Sequence, residues 1–119
     1  MTLDIEDVAT RLSLALRGAV GADLPVSSAV GAARARAVTQ YVAMIADAYA
    51  DGALDDAEMK HELQEIAHMT RRYAGSIPGV AGAVAEQAKR RAVGVVFGAL
   101  RASLSFAGAP LPQGLTEVA

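Results

Sequence analysis

With 119 residues, a hydrophobic fraction of 53% and a net charge of −2, the chain has apolar material for one domain core and too little length for a second. A chain of this size buries roughly two thirds of the surface its unfolded form exposes, so it folds without staples. The absence of Cys excludes disulfides, thiol catalysis and Cys-ligated zinc, and 11 Lys+Arg against 13 Asp+Glu supply no global basic field for nucleic acid.

The N-terminal stretch Met1-Thr2-Leu3-Asp4-Ile5-Glu6-Asp7 is acidic, whereas a signal peptide starts basic and continues apolar. The expected location is therefore cytoplasmic, or a particle assembled in the cytoplasm. A first helix is predicted from about Leu3 to Ala19, with Thr2 as N-cap and Asp4, Glu6 and Asp7 in the first turn, where the helix dipole favours acids. Ile5, Val8, Ala9, Leu12, Leu16 and Ala19 fall on one stripe at helical spacing, and Leu3 and Leu14 fall outside it. Gly18, Gly21 and Pro25 break the pattern.

A second helix is predicted from Ser27 or Ser28 to about Ala50, burying Val38, Tyr41, Val42, Ile45 and Tyr49 and turning Arg36, Gln40 and Asp47 outward. A third begins at Asp55, where Asp55-x-x-Glu58 is close to a capping box with Asp in place of Ser or Thr. Met59, Leu63, Ile66, Thr70 and Tyr73 share one face of it, and Ala74 to Gly79 stops it.

A fourth helix, from about Gly79 to Phe106, is apolar nearly all round. Val93, Val96, Phe97, Leu100 and Leu104 make one face; Val84, Ala88, Ala92, Val95, Ala99 and Phe106 make another, about 150–200° away. Such a helix is covered on both sides, by its own neighbours or by another chain. Leu14 and the segment 107–119 are candidate covers. Gly94-x-x-x-Gly98 leaves room for a second backbone. The run Ala92 to Leu100 is too short to span a bilayer and ends at Arg101. The fold expected is all-α, a small bundle of about four helices over 1–106 followed by an irregular tail over 107–119. Leu12, Leu16, Val38, Val42, Ile45, Leu63, Ile66, Val96, Phe97 and Leu100 are its shared core.

The sharpest chemical motif is Asp47-Ala48-Tyr49-Ala50-Asp51-Gly52-Ala53-Leu54-Asp55-Asp56-Ala57-Glu58. It resembles the twelve-residue calcium loop of an EF-hand, in which a hard cation takes six to eight oxygens. The resemblance implies Asp47, Asp51, Asp55 and Glu58 as calcium ligands and Gly52 as the turn glycine. Tyr49 departs from the pattern, standing where that family has a short oxygen ligand. The part from Ala50 to Glu58 also resembles turns of the tellurite-resistance-type helical family. With no metal, the same residues end one helix at Asp51-Gly52 and cap the next at Asp55.

Glu58/His61 and Glu65/His68 repeat the Glu-x-x-His spacing of ferritin-like di-metal bundles. Both pairs lie on one helix, however, and about 120–160° from its apolar stripe for His61, Glu65 and His68, so these are expected at the surface. There is no Gly-x-Ser-x-Gly elbow and no phosphate loop. Lys89-Arg90-Arg91 with Arg71-Arg72 is basic but lacks interleaved aromatics. Seven acids stand against Lys60 alone between Asp47 and Glu65, and six bases against Glu86 alone between Arg71 and Arg101. The leading expectation is a non-enzymatic structural subunit. It would pack as a homo-oligomer or in a larger protein assembly such as a virion, without nucleic acid or membrane. A calcium-binding EF-hand-like module is the alternative, and a ferritin-like di-metal protein the second.

Overall fold

The computed structural model describes residues 4–20, 29–76, 82–106 and Gly108. They form four helices, α1 (Ile5–Val20), α2 (Ala29–Ala50), α3 (Asp56–Gly75) and α4 (Gly82–Phe106), with no strand among the described residues. The bundle is elongated, 42 × 25 × 17 Å between Cα atoms. Successive helices α1, α2, α3 and α4 are neighbours, α4 closes the ring onto α1, and α2 and α4 also touch across the short diagonal.

All ten residues expected in the shared core are buried, none more than 6% exposed. Ala35, Ala43, Ala46, Ala67, Ala74, Ala88 and Ala92 join them, so small side chains line the seams and let the helices come close. Two polar side chains are wholly enclosed. The hydroxyls of Thr39 and Thr70 donate to the carbonyls of Ala35 and Ile66 at 2.8 and 2.7 Å, which satisfies them inside their own helices.

α1 begins at Ile5, not at Leu3. Asp4 Oδ1 accepts the amide of Asp7 at 3.1 Å, so an aspartate inside the acidic run takes the capping role expected of Thr2. Thr2 and Leu3 lie outside the described residues, as do the side chain of Ala19, the start expected for the fourth helix at Gly79, and all of the tail but Gly108.

Four side-chain contacts set the register. Tyr41 Oη donates to Glu62 at 2.7 Å and Tyr49 Oη to Asp56 at 2.9 Å, pairing α2 and α3 antiparallel. Glu6, near the start of α1, receives Arg36 Nε at 2.8 Å from the first third of α2. Ser13 then approaches Tyr73 near the end of α3. α1 therefore runs toward the end of the bundle where α2 begins and α3 stops. With 16 residues α1 is about 24 Å long, and α4 with 25 is about 37 Å. α1 is too short to cover the whole of α4.

Candidate functional site

The α2–α3 turn is built from caps. α2 continues through Asp47 to Ala50 and stops at Gly52, whose φ of 79° only glycine adopts without cost. The amide of Ala53 donates to Ala48 O at 2.8 Å and that of Gly52 to Tyr49 O at 3.1 Å, the paired closure of a Schellman end. Asp55 opens α3 with the expected capping box. Its Oδ1 accepts the Glu58 amide at 2.7 Å, and Glu58 Oε1 accepts the Asp55 amide at 3.0 Å.

The four acids expected as calcium ligands are thus distributed among separate duties. Asp47 sits within α2 and its carbonyl accepts the amide of Asp51 at 2.9 Å; Asp55 and Glu58 hold each other's backbone. Tyr49, at the position where a calcium loop needs a short oxygen, is buried with its hydroxyl on Asp56. Among the described residues no group of three or more His, Asp or Glu side chains converges as metal ligands would.

His61, Glu65 and His68 are exposed on the outer face of α3. His68 Nε2 lies 2.8 Å from the guanidinium of Arg72. On α4, Glu86 is exposed and pairs with Lys89 at 3.4 Å. None of these faces the bundle interior, where a di-metal centre of the ferritin type assembles.

Charge is polarised along the molecule. Asp51, Asp55, Asp56 and Glu58 gather where α3 begins. At its other end Arg34 Nη1 donates to Ser76 Oγ at 3.1 Å, and a Cβ placed on Gly75 would lie 3.0 Å from Lys89 Cε. Arg34, Arg71, Arg72, Lys89 and Arg90 therefore share the basic end, about 30 Å from the acidic turn given the 20 residues of α3. A cleft of about 390 Å³ opens there between α2 and α3, floored by Val38, Met69 and Tyr73 and flanked by Arg34 and Arg72. The two arginines are remote in sequence, and only the hairpin register brings them together.

All three tyrosines of the chain hold their protons more tightly than free phenols. The hydrogen bond to Glu62 pushes Tyr41 up to about 12. Burial and then Asp56 raise Tyr49. Burial raises Tyr73, opposed by the nearby Ser13. The Tyr73 hydroxyl is enclosed and makes no hydrogen bond of ordinary geometry.

Among the described residues, the outer surface of α4 leaves large apolar side chains exposed. Of its second apolar face, Ala88 and Ala92 are fully buried and Val95 and Ala99 half-buried, while Val84 and Phe106 are 42% and 71% exposed. Leu14, one expected cover, is itself 56% exposed and points away from the core. Gly94 and Gly98 lie beside this line, and an added Cβ at either would meet nothing within 4 Å. No helix among the described residues is long and apolar enough to cross a membrane.

No protein-family model, curated protein or solved structure matches this chain.

Proposed function

We propose that this chain is a non-enzymatic structural subunit that packs through its helical surface against copies of itself in a larger assembly. The observation that carries the reading is the line on α4 that outruns its cover. Scattered exposed apolar side chains are ordinary on any protein. Val84, Val95 and Phe106 instead lie within about 40° of one another along α4, with the exposed Arg91 among them, beside two glycines at which an added Cβ would meet nothing within 4 Å among the described residues. Large apolar side chains left exposed along one face of one helix support a contact with another chain there.

The test is native mass over a wide concentration range by sedimentation velocity, for the parent and for Phe106→Asp. The parent is expected above monomer mass and rising with concentration. Phe106→Asp is expected at monomer mass with an unchanged far-ultraviolet spectrum, because a carboxylate at so exposed a site leaves the core alone and spoils an apolar contact. A parent that stays monomeric throughout overturns the reading.

A further inference from the structure

We infer that the cleft at the basic end of the α2–α3 hairpin is a binding site for a small amphipathic anion, a carboxylate carried on a short unbranched apolar chain. The cleft shares no residue with the outer line of α4, so this inference stands apart from the assembly reading above.

The apolar half of the site is supplied by facing helices. Val38 comes from α2, and Met69 and Tyr73, four residues apart, share one face of α3. Val38 and Tyr73 are buried and Met69 is half-buried. The cleft they floor measures about 390 Å³, inside the range of about 300–1,000 Å³ in which small-molecule sites fall. Ala37 is the neighbouring wall on α2, and its single methyl group leaves the entrance open. Met69 is unbranched and adapts its shape to whatever lies on it. Tyr73 is only 6% exposed and offers too little ring face to stack a base. The floor therefore suits an aliphatic body better than a nucleotide.

Charge fixes the other half of the ligand. Arg34 reaches across from α2 to donate to Ser76 Oγ at 3.1 Å, and Arg72 Nη2 lies 2.8 Å from His68 Nε2. Each contact occupies one of the five N–H donors of its guanidinium. Among the described residues neither arginine meets a carboxylate, whereas Arg36, two places along α2 from Arg34, is held by Glu6 at 2.8 Å. The acid of α3 that comes closest in sequence to Arg72 is Glu65, seven residues or about two turns before it. Two guanidiniums with donors to spare thus border an apolar floor. Guanidinium N–H groups match the two oxygens of a carboxylate in charge and geometry. An anion without a chain would leave the floor unused, and a chain without a charge would leave the arginines unused.

The probe is octanoate, titrated into the isotopically labelled chain while backbone amide shifts are followed by NMR. Saturable shifts are expected at Val38, Met69, Arg72 and Tyr73, with none at the acidic turn. Acetate, inorganic phosphate and 1-octanol, each carrying half of the recognition chemistry, are expected to bind at least about tenfold more weakly, since a hydrogen bond to a charged group contributes about 1.5–3 kcal/mol. Arg34→Gln and Arg72→Gln are expected to weaken octanoate by a similar factor. Both positions are exposed, and circular dichroism confirms that each variant folds. Arg11→Gln, on the exposed surface of α1, is expected to bind as the parent does. Octanoate shifts centred on Val84 and Phe106 would place the chain on α4 and overturn the inference. It is equally overturned by acetate or phosphate matching octanoate, by 1-octanol matching it, or by Arg11→Gln losing as much as the cleft variants. Absence of any saturable shift at millimolar octanoate overturns it outright.

Discussion

Toward the turn of the α2–α3 hairpin four polar side chains find partners within the hairpin: Tyr41 on Glu62, Tyr49 on Asp56, Asp55 and Glu58 on each other's amides. The outer line of α4 has no such closure. From Val84 to Phe106 it carries the exposed Val84, Arg91 and Phe106, the half-buried Val95 and Ala99 and the fully buried Ala88. Both regions are helical, yet among the described residues the hairpin turn has its side chains engaged while Val84 and Phe106 of α4 stay exposed. Completeness is set by what lies opposite each side chain, and helix propensity says little about it.

The sharpest contrast lies within α4 itself, between two phenylalanines nine residues apart. Phe97 is 1% exposed and Phe106 is 71% exposed. Phe97→Ala leaves a cavity at the meeting of the helices and should cost about 3–5 kcal/mol. Phe106→Ala should stay within about 0.5 kcal/mol as a surface change. Urea denaturation of both, at a concentration where the parent is monomeric, measures the difference. Equal effects would mean that Phe106 is packed within the single copy.

The hairpin's completeness can be broken at its cap. Asp55→Ala removes the acceptor for the Glu58 amide and should destabilise by about 1 kcal/mol. Glu58→Gln keeps an oxygen for the Asp55 amide and should cost less. Thermal melts of the pair separate the hydrogen-bonding role of these acids from a role in holding a cation. If Glu58→Gln were the more damaging, the charge of Glu58 would matter for something beyond the cap.

Gly94→Ala and Gly98→Ala turn the comparison round. In the single copy each should raise stability by about 0.5–1 kcal/mol, because alanine suits a helix interior better and the added Cβ meets nothing. The same changes should weaken self-association if a second backbone approaches there. Stability up and native mass down is the expected pair of readings. Stability up with unchanged mass would mean that the glycines lie outside the contact.

Much of this division was legible in the sequence. The stripes of α2 and α3 follow the 3.6-residue period, and Val38, Val42, Ile45, Leu63 and Ile66 are buried as it dictates. Leu14, off the stripe of α1, is exposed. The box at Asp55 and Glu58 is local chemistry and reads directly. The start of α1 was misplaced because several residues near it can cap, and Asp4 takes that role over Thr2. Which part of the outer line on α4 is covered depends on the length of α1 and on the Glu6–Arg36 contact. That is long-range information that no periodicity carries. The cleft between Arg34 and Arg72 was equally hidden, since it exists only through the antiparallel register of the hairpin.

The smallest effect expected is on the alkaline limb of stability, and it singles out the Tyr41–Glu62 bond. Folding raises the Tyr41 phenol from its ordinary value to about 12, chiefly because that hydrogen bond requires the proton. The folded chain therefore holds this proton when the unfolded chain has begun to lose it. Between about pH 10 and 12 the folded state binds more protons, so the free energy of unfolding falls as pH rises. The contribution is whole below about pH 10 and gone above about 12. Tyr41 is half-buried and its hydroxyl pairs with Glu62 at the edge of the core, so its share is small beside the core substitutions. Tyr49 and Tyr73 are raised as well and add slope in the same direction. Tyr41→Phe removes one of the three contributions and should flatten the decline without abolishing it. Urea midpoints of parent and Tyr41→Phe at pH 8, 10 and 11 measure this. Parallel declines would mean that the Tyr41–Glu62 bond does not hold the phenol's proton, and that the hairpin is less closed there than its geometry indicates.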